Sequence, residues 1–318
     1  MIETSGLRKS FRTRSGRHTV TVDAVRGVDL AVAEGEVFGF LGPNGAGKTT
    51  TLRMLATLIV PDGGGATIAG TDLRRDPAGV RRRIGYVAQS GGTWDDVSAR
   101  EELALQARMH GFSKAEALRR AEAAVGSFGL AGYADRKCKT YSGGQRRRLD
   151  IALGVIHDPR VLFLDEPTAG LDPPSRAQVW DEVRRLRTGG MTVFVTTHYL
   201  EEADALADRI AIIDQGAIVA GGTPDALKRE IAGDVVTVGV NGSTPQAAEL
   251  LRTQPCVRKL EVREEGGLRL YVDAGATAIP QLLRVLDGCD IELEAIELHR
   301  PSLDDVFLTK TGRLLTDA

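Results

Sequence analysis

The chain has 318 residues, of which 42 % are hydrophobic and 26 % are charged, and its formal net charge is -2. This length and balance are typical of globular protein with roughly two domains. The near-neutral charge and an aromatic content of 5 % do not indicate a general nucleic-acid-binding surface. The three cysteines lack the spacing of a disulfide framework or a structural zinc site, so we expect packed small side chains in a reducing compartment.

The apolar segments are too short to cross a membrane. The N-terminal stretch MIETSGLRKSF has no apolar run after its charges, so no secretory signal is predicted. The longest apolar runs, VLFL and IAII, fall far short of the roughly 20 residues that cross a bilayer. We expect a chain that does not span a membrane but could lie on one by holding a membrane protein.

Residues 35–60 predict a strand, a glycine-rich loop and a helix. GEVFGFLG is apolar and strand-like, GPNGAGKTT follows, and TTTLRMLATLI has apolar residues at helical spacing. The loop satisfies the phosphate-loop pattern G-x-x-x-x-G-K-[ST], in which glycine N–H groups surround phosphate oxygens. Lys48 would supply charge to the β- and γ-phosphates, and the Thr49 hydroxyl would ligate Mg²⁺. The alternative, a plain tight turn, is disfavoured by the strand–loop–helix placement. The predicted nucleotide-binding residues here are Gly42, Pro43, Asn44, Gly45, Ala46, Gly47, Lys48, Thr49 and Thr50.

A helical and more polar insert interrupts the α/β pattern between about residues 95 and 158. Before it, GVRRRIGYVAQS predicts a basic turn and a short strand that ends near Gln89. Within it, a helix is predicted from Ser113 to about Gly129, with Glu116 placed as in a capping box.

Strands and helices alternate again from RVLFLDE onward. VLFL, TVFVTTH and RIAIID predict strands and PSRAQVWDEVRRLR predicts a helix, which together indicate a mostly parallel sheet. Asp165 and Glu166 follow VLFL and are expected at the carboxyl edge of the sheet, where ligands bind. One of these carboxylates can hold Mg²⁺, usually through water, and the adjacent one can orient or deprotonate an attacking water. A solvated surface pair is the alternative, but the apolar strand and the phosphate loop favour function.

The residues after the α/β region predict a small separate α+β domain. The predicted domains are 1–225 and 226–318. In the second, the expected elements are strands at 235–240 and 291–298, helices at 244–253 and 277–287, and a strand pair around the turn EEGG at 264–267.

Six motifs in register resemble those of the ATP-binding cassette (ABC) ATPases over residues 1 to about 225. They are GPNGAGKT, Gln89, YSGGQ, VLFLDEPT, AGLD and His198. The resemblance implies an α/β fold, a P-loop cassette with a mostly parallel sheet, antiparallel N-terminal strands and a helical subdomain. It also implies that the chain binds and hydrolyses ATP with Mg²⁺.

The resemblance assigns further residues to the nucleotide site. It implies that Gln89 joins this site to the helical insert, which contacts a membrane partner, that His198 touches the γ-phosphate and that Asp172 communicates across a dimer. Phe11 is the best match to the aromatic residue that stacks on adenine in relatives, although a phenylalanine in a strand is equally often a core residue. The implied catalytic residues are Lys48, Glu166 and His198, and the implied metal ligands are Thr49, Gln89 and Asp165.

The segment YSGGQRRRLDIAL places two glycines directly before a predicted helix. Unpaired N–H groups and the helix dipole favour an anion at such a position. In the resembled family this loop faces the γ-phosphate of ATP held by a second cassette, so that a head-to-tail dimer encloses two ATP molecules. The residues implied in this contact are Ser142, Gly143, Gly144 and Gln145. Tyr141 stands where leucine is usual, and we expect the turn to be unaffected.

Three arginines follow this turn and raise the question of nucleic-acid binding. We expect Arg146, Arg147 and Arg148 to form a solvated or acid-paired helix face instead.

The ending HRPSLDDVFLTKTGR, residues 299–313, and the small domain before it resemble ATPases of the daunorubicin/doxorubicin-resistance type. These partner a separate multi-helix permease and export hydrophobic compounds. The resemblance therefore implies the ATP-hydrolysing subunit of a bacterial exporter of a drug, antibiotic or lipid, peripheral on the cytoplasmic side of the cell membrane. Because both halves of a complete site are present in one chain, a homodimer is expected, with no nucleic-acid partner.

Two other classes of protein share parts of this motif set. A soluble ABC ATPase acting in DNA repair or on ribosomes is the alternative, against which stand the single cassette and the near-neutral charge. A P-loop kinase or GTPase is disfavoured because YSGGQ and AGLD have no place in those proteins. Contacts with the exported compound are expected to belong to the permease.

Overall fold

A computed structural model describes residues 1–15, 18–231, 234–241, 244–262, 267–289, 291–299 and 301–312. The chain divides into two compact units, the first comprising Met1–Thr223 and the second beginning at Pro224. Across the described ranges, no helix has both the length and the apolar character needed to cross a bilayer.

The first unit contains two sheets. Its strands are β1 (Ile2–Ser15), β2 (His18–Val32), β3 (Val37–Leu41), β4 (Gly63–Ile68), β5 (Thr71–Asp72), β6 (Ile84–Val87), β7 (Val161–Asp165), β8 (Thr192–Thr197), β9 (Arg209–Asp214) and β10 (Ala217–Gly222). One sheet is antiparallel, in the order β2-β1-β4-β5, and the other has the order β10-β9-β3-β8-β7-β6. The second is parallel except for the edge pair β9–β10. Every residue of β3, β7 and β8 is buried, as expected for strands covered on both faces.

Seven helices of the first unit accompany these sheets in the described part of the chain. They are α1 (Lys48–Leu55), α2 (Pro77–Arg81), α3 (Ala99–Met109), α4 (Lys114–Ser127), α5 (Gly143–Val155), α6 (Pro173–Thr188) and α7 (Leu200–Leu206). α3, α4 and α5 occupy the polar insert that the sequence predicts to be helical. Their apolar faces share one core with β7 and β8, which joins the insert to the main sheet.

The capping box predicted at the start of α4 is only half formed. Ser113 Oγ accepts the backbone N–H of Glu116 at 3.2 Å. The Glu116 carboxylate instead accepts hydrogen bonds from Arg119 and Arg120, at 2.6 to 2.9 Å. The prediction is wrong in this half because charge-assisted bonds to guanidinium groups are stronger than a bond to one exposed amide.

The second unit is a small α+β domain. Its elements are α8 (Pro224–Ile231), β11 (Asp234–Val240), α9 (Thr244–Arg252), β12 (Val257–Val262), β13 (Leu268–Val272), α10 (Gly275–Asp287), β14 (Leu293–His299) and α11 (Leu303–Thr311). The strands form an antiparallel sheet in the order β12-β13-β11-β14, with the apolar sides of α9 and α10 in its core. The predicted pairing of β12 with β13 is present, while residues 263–266 of the connecting turn lie outside the described residues.

Candidate functional site

The order of the parallel strands brings three predicted segments together. β3, β8 and β7 are neighbours, and the carboxyl ends of parallel strands lie at one edge of a sheet. The phosphate loop follows β3, His198 follows β8, and Glu166 follows β7. A cavity of about 260 Å³ opens at this edge, lined by Ala24, Asn44, Gly45, Gly47, Lys48, Thr49, Thr50, Gln89 and Glu166.

Two glycines of the phosphate loop are required by close backbone contacts. A Cβ atom at Gly42 would lie 2.2 Å from the carbonyl oxygen of Ile213, and one at Gly47 would lie 2.3 Å from that of Ala24. Gly47 also has a φ of 107°, in the left-handed region, and directly precedes α1. The first turn of α1 leaves backbone N–H groups without intrahelical partners, at the positive end of the helix dipole. The loop is therefore suited to bind phosphate.

The side chain of Lys48 is held by hydrogen bonds to the backbone of the phosphate loop. Its Nζ donates to the carbonyl oxygens of Gly42 and Pro43, at 2.7 and 3.0 Å, and lies 3.3 Å from Oε1 of Glu166. Burial lowers the pKa of Lys48, and the neighbouring carboxylates of Glu166 and Asp165 oppose that effect. The ammonium group is thus directed by protein oxygens and largely shielded from water, where its attraction to a phosphate is stronger than in bulk solvent.

The oxygen donors next to the loop fit a magnesium ion. Asp165, only 1 % exposed, accepts hydrogen bonds through Oδ1 from Thr49 Oγ1 at 3.0 Å and from Thr196 Oγ1 at 2.7 Å. Gln89 brings a side-chain amide to the same cavity. Carboxylate, hydroxyl and amide oxygens are hard ligands of the kind that Mg²⁺ prefers.

Glu166 has the strained backbone and the crowded carboxylate of a functional residue. Its φ is 44°, a left-handed conformation that costs a non-glycine residue about 1–2 kcal/mol. Two hydrogen bonds stabilise this strained conformation: the Glu166 N–H donates to the carbonyl and hydroxyl oxygens of Thr196, both at 3.1 Å. Its Oε2 accepts from Gln89 Nε2 at 2.9 Å, and His198 Nδ1 lies 3.2 Å away without forming a hydrogen bond. Gln89, His198 and Lys48 therefore surround this carboxylate, as the sequence predicts for one site.

The YSGGQ segment begins a helix as predicted. Ser142 caps α5: its Oγ accepts the N–H of Gln145 at 3.3 Å, and Gln145 Oε1 accepts the Ser142 N–H at 3.1 Å. A Cβ atom at Gly144 would lie 2.6 Å from Oγ of Ser175, near the start of α6. Among the described residues that line the phosphate-loop cavity, none belongs to 142–145. The contact with a second cassette's ATP stays a prediction.

Two further predicted residues lie on the surface, away from the lining of the cavity. The Phe11 ring is 40 % exposed on β1, so it is not a core residue in the described unit. Asp172 directly precedes α6 and is exposed, and its side chain makes no capping hydrogen bond. Their expected roles toward adenine and across a dimer stay predictions.

The expectation of a solvated or acid-paired arginine face is wrong for Arg147. Arg146 pairs with Asp95 at 2.7 Å as expected. Arg147 is only 6 % exposed, and its guanidinium donates to the carbonyl oxygens of Ala88 and Gln89, at 2.8 and 2.7 Å. Backbone carbonyls of the loop after β6 thus accept hydrogen bonds from both terminal nitrogens of the guanidinium. Burial lowers the pKa of Arg147, and the charge of the nearby Asp150 opposes that effect.

Glu202 is a second residue that sequence reasoning missed. It lies on α7, is fully buried, and accepts hydrogen bonds from Thr168 Oγ1 at 2.8 Å and Trp180 Nε1 at 3.1 Å. Burial raises its pKa, against hydrogen bonds from neighbouring side chains. Glu202 joins the segment after Glu166 to α6 and α7. No local signal could have indicated this, because glutamates in a short polar helix are usually solvated.

Comparison with known proteins agrees with this geometry. The model of the family described as "ABC transporter" matches residues 25–169, and the one described as "ATP-binding protein DrrA1-3-like, C-terminal domain" matches residues 222–311. The daunorubicin/doxorubicin resistance ATP-binding protein DrrA of Streptomyces peucetius is 44 % identical over 322 residues, covering 99 % of this chain and 94 % of the relative. The chain belongs to the ATP-binding subunits of ABC transporters.

A second relative and a solved structure are also similar to this ABC subunit. The Nod factor export ATP-binding protein I of Paraburkholderia xenovorans (strain LB400) is 38 % identical, covering 99 % of this chain and 98 % of the relative. A dimeric, post-hydrolysis structure of the ATP-binding cassette MJ0796 bound to ADP and Pi has a TM-score of 0.63 and 26 % identity, and covers 70 % of this chain and 98 % of that one. The predicted family, cassette fold and ABC-type ATPase activity are confirmed. As an ABC transporter subunit, the chain binds ATP and acts with a membrane permease.

Proposed function

We propose that two copies of this chain enclose two ATP molecules and drive a separate multi-helix permease from the cytoplasmic side of a bacterial cell membrane, exporting a hydrophobic drug, antibiotic or lipid. The observation that carries the hydrolytic part is that the phosphate loop, Gln89 and Glu166 line one cavity. Export is supported by relatives named for daunorubicin/doxorubicin resistance and for Nod factor export.

In this proposal each side chain of the cavity has a separate role in ATP hydrolysis. Lys48 and the phosphate-loop backbone bind the β- and γ-phosphates, and Thr49, Asp165 and Gln89 would hold the metal. A bound Mg²⁺ neutralises phosphate charge. Glu166 orients or deprotonates the attacking water, for which the position of its carboxylate matters before its pKa. In this proposal His198, whose Nδ1 lies 3.2 Å from that carboxylate, contacts the γ-phosphate.

The proposed dimer is supported by the separation of two predicted parts of the nucleotide site, the phosphate loop and the start of α5, within one chain. At the start of α5 the N–H groups of Gly143 and Gly144 have no intrahelical partner, as an anion site requires, but residues 142–145 do not line the phosphate-loop cavity. A second copy placed head to tail would bring this turn to the γ-phosphate. ATP that binds the dimer better than the monomer drives closure, and hydrolysis releases it.

A second cavity is our candidate for the contact with the permease. It measures about 500 Å³ and is lined by parts of β6, α3 and α5 and by the loop that follows β6. Its rim includes the exposed side chains of Leu58, Trp94, Leu105 and Met109. An apolar groove of this kind supports a protein contact, here with a cytoplasmic segment of the permease.

The hydrolytic proposal is tested by Glu166→Gln. The variant keeps the volume and an acceptor oxygen but loses the negative charge, so it should bind ATP, lose nearly all turnover and form an ATP-dependent dimer in light scattering. Glu201→Gln, an exposed glutamate on α7, is the matched control and should behave as the unmodified chain. Normal turnover by Glu166→Gln would contradict the assignment.

The export proposal is tested by purification of the tagged chain from its native cells in mild detergent. A multi-helix membrane protein in stoichiometric amount would support the transporter and provide the complex on which candidate substrates are tested for stimulated hydrolysis. Recovery from the soluble fraction with ribosomes or DNA would keep the ATPase but replace the exporter with the soluble alternative.

A further inference from the structure

The loop that carries Gln89 is held by two buried charged residues of α5. Arg147 uses both terminal nitrogens of its guanidinium on consecutive carbonyl oxygens, those of Ala88 and Gln89. Lysine could not replace this fork, because one ammonium group lacks its fixed planar geometry. Arg147 therefore fixes the main chain at the residue whose side chain reaches the nucleotide cavity.

Asp150 holds the other half of the same loop. It is 6 % exposed, and its Oδ1 accepts from the Gly92 N–H at 3.1 Å and from Thr93 Oγ1 at 2.6 Å. A Cβ atom at Gly91 would lie 2.7 Å from Asp150 Oδ2, so the loop packs directly against the carboxylate. Arg147 and Asp150 are one helical turn apart and together fasten residues 88–93 to α5.

Stability alone does not explain why two charged side chains are buried here. Burying a guanidinium and a carboxylate carries a desolvation penalty that often exceeds the gain in stability. A buried apolar pair would pack the helix against the loop at lower cost, but it could not specify where each backbone group lies. The specific result here is the position of Gln89, whose Nε2 donates to Glu166 Oε2 at 2.9 Å.

We propose that Arg147 and Asp150 are positioning residues for ATP hydrolysis, which hold Gln89 so that its amide lies against Glu166. This inference rests on the proposed role of the Glu166 cavity. It assigns a connection between the helix that Ser142 caps and the residue that acts on water: α5 holds the Gln89 backbone, and the Gln89 side chain holds Glu166.

A double-mutant cycle on the purified full chain tests the proposal. Gln89→Ala and Arg147→Met should each lower kcat at least tenfold and change the KM for ATP less than twofold. The double variant should be no more than about twofold slower than the slower single variant, because both changes remove the same interaction. Arg119→Met, an exposed arginine on α4, is the control and should keep the kcat of the unmodified chain.

A purely structural role of Arg147 would give other results. Losses of kcat that multiply in the double variant, or a higher KM with unchanged kcat, would overturn the proposal. The conservative pair at Asp150 covers the case in which Arg147→Met does not fold: Asp150→Asn keeps an acceptor oxygen and should keep kcat within about threefold, whereas Asp150→Ala should lose at least tenfold. Equal kcat for these two variants would also overturn it. Failure of the underlying function is separate, since Glu166→Gln would then retain turnover.

Discussion

The Nζ atom of Lys48 lies 3.3 Å from Oε1 of Glu166, and both side chains are buried. The two charges compensate each other in a place where neither is well solvated. Phosphate oxygens that enter the loop compete with Glu166 for the same ammonium group. ATP binding would thus free one oxygen of the carboxylate that is needed for the next step, while Gln89 keeps the other in place.

Lys48→Ala should weaken ATP binding at least tenfold, because it removes the buried cation that faces the phosphates. Equilibrium titration with a fluorescent ATP analogue measures this without turnover. Lys139→Ala removes an exposed lysine that pairs with Asp96 and should leave the affinity unchanged. Unchanged affinity in Lys48→Ala would count against the phosphate-loop interpretation.

Thr49→Val should raise the Mg²⁺ concentration for half-maximal hydrolysis at least fivefold. Valine has nearly the shape of threonine but lacks the hydroxyl oxygen that lies 3.0 Å from Asp165 Oδ1. Binding of ATP measured with EDTA should stay within twofold, since the loop backbone and Lys48 remain. Hydrolysis with an unaltered Mg²⁺ dependence would remove Thr49 from the proposed metal ligands.

Gly47→Ala and Gly45→Ala form a matched pair in the phosphate loop. Both positions have positive φ, 107° and 79°, so both alanines pay roughly 1–2 kcal/mol of backbone strain. Only the Gly47 position meets a neighbour, the Ala24 carbonyl at 2.3 Å, whereas nothing lies within 4 Å of a Cβ at Gly45. Gly47→Ala should lower the free energy of unfolding by about 1–3 kcal/mol more than Gly45→Ala in urea titrations. Equal losses would mean that the loop relaxes freely.

His157 should make the first unit sensitive to acid. Its ring stacks on that of His110 at 3.7 Å, and burial and the nearby His110 lower the pKa of His157 to about 4. Between the ordinary value of 6.5 and about 4, the unfolded chain binds a proton that the folded chain does not, so the free energy of unfolding should fall as the pH falls through this range. The loss is smaller than about 3.5 kcal/mol, since one pKa unit corresponds to about 1.4 kcal/mol and solvent screens a partly exposed ring.

The variant His157→Gln checks this origin. Glutamine can still donate an N–H toward the Ile84 carbonyl, which lies 2.9 Å from His157 Nε2, but it does not titrate. Its free energy of unfolding should therefore depend less on pH between 6.5 and 4 than that of the unmodified chain. Urea titrations followed by tryptophan fluorescence suit this test, because both tryptophans, Trp94 and Trp180, lie in the first unit. Identical pH profiles would exclude His157 as the source.

The parts of the site that could be predicted are those encoded in short segments. The spacing from Gly42 to Thr49 and the run VLFL before Asp165 each specify local structure, and the order of parallel strands then places them at one edge. The family motifs add Gln89 and His198, and the structure brings both within 3.2 Å of Glu166.

The residues that could not be predicted make contacts between distant segments. Arg147 lies 58 residues from Gln89, and nothing in the charged run 146–148 distinguishes the buried arginine from its neighbours. Ala24 lines the cavity through an approach of the antiparallel sheet to Gly47 that no pattern in β2 indicates. The capping box predicted at Ser113 is half formed for a related reason. The arginines one turn later bind the Glu116 carboxylate that would otherwise accept the Ser113 N–H.

The fit of Gly144 against Ser175 also bears on the choice of a partner subunit. With little room for more than a hydrogen at this glycine, the first turn of α5 packs closely against the start of α6, and Asp172 directly precedes that helix. The two segments that we expect to meet a second cassette would therefore move as one rigid surface. A substitution at the start of α5 would therefore require a matching substitution at the start of α6. Compatibility between two paired subunits would then depend on both segments together rather than on single residues.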